Sequence, residues 1–273
     1  NGIDTVGGGQ DLTVAKKIFY EEIKGASFGI LNFCEHEFSI ATEKNGGSNP
    51  LNPVANHYQI QEAHKSADYV IVIVHGGHEH YQLPSPRMKE TYRFFIDSGA
   101  DAVINYHQHC YSGYEVYKGR PIFYGLGNFC FDWDGKRNSI WNEGYLVNLL
   151  FDNDNIDFEL FPYIQGDENP GVVREKNYNK FNETIASLNE IIIDNEKLNI
   201  AFEKFAWANR KEICLAFEPY SNRYFKGLRR RRLIPSFLNQ KRLLLIKNYV
   251  ECEAHKDVVI SVLNILNNEK NSS

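Results

Sequence analysis

Tyr69-Val-Ile-Val-Ile-Val74 runs into His75-Gly-Gly-His78-Glu79-His80, and Ala100-Asp-Ala-Val-Ile104 runs into Asn105-Tyr106-His107-Gln108-His109. Both apolar runs are of strand length and rich in β-branched residues. Pro86 to Ser98, between them, carries helical periodicity, with Gly99 placed to end the helix. A β-α-β unit follows, and its two strands are expected to lie parallel with a right-handed crossover. Five of the nine histidines then emerge at the carboxyl ends of two neighbouring strands, where open α/β sheets bind their ligands. Imidazole is the commonest protein ligand for transition metals and is matched to proton transfer near neutral pH, so metal-assisted chemistry is the first expectation.

Working outward, Asp11 is read as the cap of a helix through Val14, Ala15, Ile18, Phe19 and Ile23 that closes near Gly25. Ser27 to Phe33 reads as a strand, Glu35 to about Pro53 as a Gly, Asn, Ser and Pro-rich loop, and Gln59 to Ser66 as a helix. Downstream come two hairpins: Glu115-Val-Tyr117 with Pro121-Ile-Phe-Tyr124 across a Lys118-Gly119 turn, and Tyr145–Phe151 with Ile156–Tyr163 across Asp-Asn-Asp-Asn. From about Asn177 helical periodicity takes over, with helices expected at 179–194, 196–217, 236–249 and 256–267. The expected organisation is an α/β domain over 1–170 and a helical extension over 171–273.

The 273 residues carry a net charge of −5 and are 42% hydrophobic, which gives no general case for a nucleic-acid partner or for a membrane surface. No run approaches the ~20 apolar residues of a membrane span. Five scattered cysteines with no Cys-x-x-Cys pair argue against a disulfide framework or a zinc ribbon, and Cys110, directly after His109, is the one to follow. One local departure from acidity stands out. Between Glu218 and Glu251 there is no acid, while Lys226, Arg229–Arg232, Lys241 and Arg242 are all basic. This stretch is read as a solvated basic helix end or as a peripheral contact, through Arg229–Arg232, with anionic lipid headgroups or a polyanion.

His107-Gln-His109 is an H-x-H pair at a strand end, where alternate side chains share a face. With His75 from the neighbouring strand, three ring nitrogens can meet around a metal at about 2.0–2.1 Å. His78 and His80 are expected to line the crevice, and His57, His64 and His255 to be surface residues.

The run Asp68 to Asp132 resembles the CapA family of capsule and poly-γ-glutamate biosynthesis, a branch of the calcineurin-like metallophosphoesterase superfamily. The resemblance rests on Asp68-Tyr-Val-Ile-Val-Ile-Val-His75-Gly-Gly-His-Glu79, Gly99-Ala-Asp-Ala-Val-Ile-Asn-Tyr-His107-Gln-His109, Tyr114-Glu115-Val-Tyr-Lys-Gly-Arg-Pro-Ile and Tyr124-Gly-Leu-Gly-Asn128-Phe-Cys-Phe-Asp132. It extends from about residue 2 to 165. It implies a layered metallophosphoesterase-like sheet core, here partial, with a helical C-terminal appendage. It also implies divalent metal ions (Mn, Fe or Zn, mononuclear or binuclear) held by His75, His107 and His109. Tyr106 stands for the glycine of the superfamily's Gly-His-x-His motif, Gln108 for a common proline, and His80 for a usual aromatic residue.

The superfamily's upstream Asp-containing motif, second bridging acid and Asn-His motif have no counterpart before His75, so the chain is expected to begin inside the domain. Two divalent ions ~3.5–4 Å apart repel by roughly 18 kcal/mol at an effective dielectric of about 20, and neutral imidazoles offset none of it. A bridging carboxylate or hydroxide is therefore required, and Glu35, Glu37 and Glu79 are the nearby acids with suitable placement. If the site is complete, hydrolysis or transfer at a phosphoester or amide-type bond is expected, with Glu79 and Glu35 in catalytic roles. Arg87 would hold an anionic polymer or phosphoester substrate. Glu115 and Asn128 would assist in binding it, and other capsule-synthesis proteins are candidate partners. The rival expectation is a non-catalytic subunit of a polymer synthesis or export complex with a vestigial site. The sequence leaves the compartment open.

Overall fold

A computed structural model describes residues 2–36, 39–131, 133–136, 139–152, 155–165, 172–174, 178–219, 222–251, 255, 259 and 263. The chain forms two compact units, residues 1–203 and 204–273. In order, the first unit contains β1 (Gly8–Gly9), α1 (Leu12–Ala15), β2 (Phe19–Ile23), β3 (Ala26–Cys34), β4 (Gly47–Ser48), α2 (Pro53–Ser66), β5 (Tyr69–His75) and α3 (Pro86–Asp97). It continues with β6 (Ala102–Tyr106), β7 (Tyr114–Tyr117), β8 (Arg120–Phe123), β9 (Glu143–Asp152), β10 (Asn155–Gln165), β11 (Val172–Arg174) and α4 (Tyr178–Ile193). Helix α5 (Asn195–Ala216) starts in this unit, and α6 (Arg223–Arg230) and α7 (Gln240–Glu251) belong to the second. No helix among the described residues is long and apolar enough to cross a membrane.

The architecture is α/β, built on a six-stranded mixed sheet in the order β2-β3-β5-β6-β8-β7. Strands β3, β5, β6 and β8 are parallel, and β2 and β7 pair antiparallel at the two edges. The β5-α3-β6 crossover is present with the expected parallel register, Val74 opposite Asn105 and His75 opposite Tyr106. Helix α3 starts where Ser85 accepts from the Met88 amide at 3.2 Å, with Pro86 as first helical residue. Gly99 follows the helix at φ 112°, a conformation that side chains resist.

On one face of the sheet, Leu31, Phe33, Val70, Val72 and Val74 pack with Met88, Tyr92 and Phe95 of α3, Ile60 and Ala63 of α2, and Ile192 and Leu198. A second core gathers Phe123, Tyr111 and Tyr145 with Phe181 and Ile185 of α4 and the inward residues of β9 and β10. Helix α4, expected to belong to an extension beyond 170, therefore contributes to both cores of the first unit. Both expected hairpins form, β7/β8 and β9/β10, although residues 153 and 154 of the second turn lie outside the described residues. The expected helix over 256–267 also lies largely outside them.

Two elements differ from expectation. The helix read from Asp11 to Gly25 stops at Ala15; Asp11 does cap it, accepting from the Val14 amide at 2.9 Å, but Phe19–Ile23 is an edge strand. Lys24 (φ 53°) and Gly25 (φ 84°) form a tight hairpin turn, and pairing with β3 outweighs the helical spacing. Helix α2 begins six residues before the expected Gln59, at Pro53, because Asn52 caps it by accepting from the Ala55 amide at 3.2 Å.

Candidate active site

His75 ends β5 and His107 follows the last residue of β6, so the register that sets His75 opposite Tyr106 brings the two imidazoles together. His75 Nε2 and His107 Nδ1 lie 3.0 Å apart, sharing one proton, and the ring centroids are 4.5 Å apart. The strand alternation expected to aim His107 and His109 at one point does not extend this far. Strand β6 stops at Tyr106, and His109 has a left-handed backbone, φ 57°. Its ring therefore sits 6.0 Å from that of His107 and stacks on Trp141 at 4.4 Å.

The proton on His109 is fixed by its neighbours. The Asn128 side-chain amide donates to the Trp141 carbonyl at 3.1 Å and to the His109 carbonyl at 3.4 Å, which turns Oδ1 toward the ring. At 2.9 Å from Oδ1, His109 Nδ1 must be the donor, leaving the Nε2 lone pair for a ligand. Asn128, expected to touch substrate, thus fixes the orientation of this ring. It is itself held by Gln165, which donates to its carbonyl at 2.7 Å.

Glu35 lies against the turn after β5. Its Oε2 accepts from the Gly77 amide at 2.9 Å, its other oxygen pairs with Arg87, and a Cβ on Gly76 would stand 2.8 Å from its Cγ. Only glycine at 76 permits that approach. Glu79 is exposed and its charge acts on His80, while Glu37 lies outside the described residues. Glu115, expected to assist in binding substrate, is buried, with its carboxylate bound by Arg93 (2.9 and 2.5 Å) and by the Tyr124 hydroxyl (2.6 Å). These partners enclose the carboxylate within the core. Cys110 is also buried, and burial pushes its thiol up to about 12, so it is no nucleophile. His57, read as a surface residue, packs on Phe94 and bonds Ser98 Oγ at 2.8 Å.

His78 and His80 flank the cluster. Burial pushes both below the ordinary histidine value, opposed at His78 by Glu35 and reinforced there by Arg87 and His107; Lys136 adds to the effect at His80. His80, like His109, is a non-glycine residue at positive φ (61°), and its amide donates to the Gln108 carbonyl at 2.7 Å. Two such backbones in one cluster mark strain that the surrounding structure holds in place. Sequence reading missed two residues that build this centre. Asn105 donates to the carbonyls of Gly76 and Tyr124 and to Gln108 Oε1, all at 2.9 Å, and accepts from Tyr92 at 2.8 Å. It ties the ends of β5, β6 and β8 together. Trp141, on a 3-10 turn at Ile140–Asn142, supplies the wall behind His109, and nothing in its local sequence signals that role.

A cleft of about 320 Å3 opens beside His75, lined by Asn32, Cys34, Glu35 and Tyr106 among others. The residues around it fit a divalent ion only in part. His109 offers a lone pair, but His75 and His107 spend facing nitrogens on each other and Glu35 is engaged by Arg87 and Gly77. Among the described residues no three His, Cys, Asp or Glu side chains surround a common point.

Comparison with known proteins follows the same stretch. Over 145 residues the chain is 35% identical to the capsule biosynthesis protein CapA of Bacillus anthracis, covering 50% of this chain and 35% of that protein. Over 142 residues it is 39% identical to the PGA biosynthesis protein CapA of Bacillus subtilis (strain 168), covering 50% and 37%. The chain thus spans about a third of the length of the curated relatives it matches. A crystal structure of a hypothetical protein from Thermus thermophilus aligns at 16% identity and a TM-score of 0.37, over 58% of this chain and 62% of that one. Residues 1–133, just under half of the chain, match the family described as bacterial capsule synthesis protein PGA_cap.

Proposed function

We propose that this protein acts in the biosynthesis of an anionic surface polymer of the poly-γ-glutamate class, with the His75, His107 and His109 rim as its functional centre. The observation that carries this reading is the convergence of His75 and His107 at adjacent parallel strand ends, within a segment matched by the PGA_cap family. Arg87, half exposed and steadied by Glu35, is a fixed cation beside the cluster. A carboxylate or phosphate of the polymer can exchange with Glu35 on its guanidinium. His78, held neutral by burial, can accept a proton near neutral pH.

The finer reading is a hydrolase or transferase acting on a phosphoester or amide-type bond with the help of divalent metal. Because the described residues complete no such site, the imidazoles would supply one part of it and further carboxylates the rest. The test is turnover of a γ-glutamyl oligomer and of a generic phosphodiester with added Mn2+ or Zn2+, alongside calorimetric titration of either ion. Turnover lost in His75→Ala and His109→Ala supports the enzyme. A second reading, a non-catalytic subunit of a synthesis or export complex, is favoured by the His75–His107 bond and the Glu35–Arg87 pair, which satisfy these groups without any ligand. Polymer binding without turnover, unchanged in the double variant, would establish it.

A further inference from the structure

The second unit carries a feature unconnected with the histidine cluster. Helix α6 spans Arg223–Arg230 and is followed directly by Arg231 and Arg232. At ~100° per residue, Tyr224, Phe225 and Leu228 fall on one side, and Arg223, Lys226 and Arg230 on the other. Much of the apolar side is open to solvent, although Leu228 is half-buried: Tyr224 is 82% exposed, Phe225 51%, and Leu233, just beyond the helix, 67%.

The helix is held firmly in place. Glu218 is buried and accepts from Arg229 Nε at 3.0 Å, Ser236 Oγ at 2.5 Å and the Phe237 amide at 2.9 Å, binding the end of α5, the helix and the following corner together. Arg230 pairs with Glu212 at 2.6 Å. Arg223, Lys226, Arg231 and Arg232 have no carboxylate partner among the described residues, and no acid occurs from 219 to 250. A surface of uncompensated cations bordered by exposed aromatic and leucine side chains matches an interface with negative headgroups above an apolar layer. A soluble polyanion would use the charge but leave Tyr224, Phe225 and Leu233 in water.

We propose that α6 and the Arg231–Arg232 turn dock the protein on an anionic phospholipid bilayer, with the Tyr224–Phe225 side entering the headgroup boundary and the cations lying within a Debye length of the lipid charge. Near such a surface each basic residue contributes about fivefold in binding. The test is flotation of the full chain with vesicles of phosphatidylcholine alone, and of phosphatidylcholine and phosphatidylglycerol in equal parts, at low and high salt. Polyphosphate serves as a soluble competitor.

The expected result is binding to the mixed vesicles only, released by salt. Arg231→Gln with Arg232→Gln weakens it about 25-fold. Tyr224→Ser with Phe225→Ser weakens it even at low salt. All four positions are exposed, and circular dichroism is the check that the variants fold. His75→Ala floats like the unaltered protein, which separates this test from that of the histidine centre. Equal flotation with both vesicle types, flotation with neither, or polyphosphate binding indifferent to Tyr224 and Phe225 without flotation would each overturn the proposal, the last in favour of a polyanion site.

Discussion

At the scale of single residues, the way His109 is held decides what the rim can bind. Because the Asn128 amide is oriented by two backbone carbonyls, nitrogen NMR of the imidazoles should find His109 as the Nδ1–H tautomer. Asn128→Leu should release that preference and cost about 1–3 kcal/mol, since the ring and two carbonyls lose their partner. A second expectation concerns pH. His78 is depressed below the ordinary 6.5, so the folded state binds fewer protons than the unfolded chain. Stability is full above 6.5 and falls as pH drops through that value toward the folded one. His78→Gln should flatten the fall in melting temperature over the same range.

The meeting of His75 with His107 was legible in the sequence because apolar strand runs ended on them. The direction of the His109 ring was not, because a left-handed residue after the strand cancels the alternation on which the inference rests. Glu115 looked like a binding residue because the resemblance covers its stretch. Only the fold shows Arg93 and Tyr124 closing around it.

At the scale of elements, the sequence carried the central β5-α3-β6 unit almost to the residue, since capping, periodicity and composition agree there. It failed at β2, where apolar spacing suits a helix and strand pairing decides. The turn at Lys24–Gly25 supplies a clean check. A Cβ on Gly25 would meet nothing within 4 Å, so Gly25→Ala pays only for its left-handed backbone. Thermal unfolding should show a loss of about 1–2 kcal/mol with polymer binding intact. Glu115→Ala belongs to the same scale. Leaving Arg93 and the Tyr124 hydroxyl unpaired should cost about 3 kcal/mol, and Glu115→Gln clearly less.

At the scale of the whole molecule, the first unit reaches Glu203, and helices α4 and α5 place Phe181, Ile185, Ile192 and Leu198 in its cores. Buried Lys89 of α3 adds a polar tie, donating to the carbonyls of Ile192 and Ile193 and to Asn195 Oδ1. Periodicity announced those helices but not their docking, which depends on contacts about a hundred residues apart. A chain ended at 170 should lose cooperative melting, because each of those four side chains contributes about 1.5–3 kcal/mol of burial. A chain ended at 203 should melt as one unit. The central claim, that the histidine rim serves synthesis of an anionic surface polymer, is tested most directly by replacing His75 and His109 with alanine in the organism that encodes the protein and assaying cell-associated polymer. Loss of the polymer at an unchanged level of the protein is the predicted result; an undiminished polymer coat would contradict it.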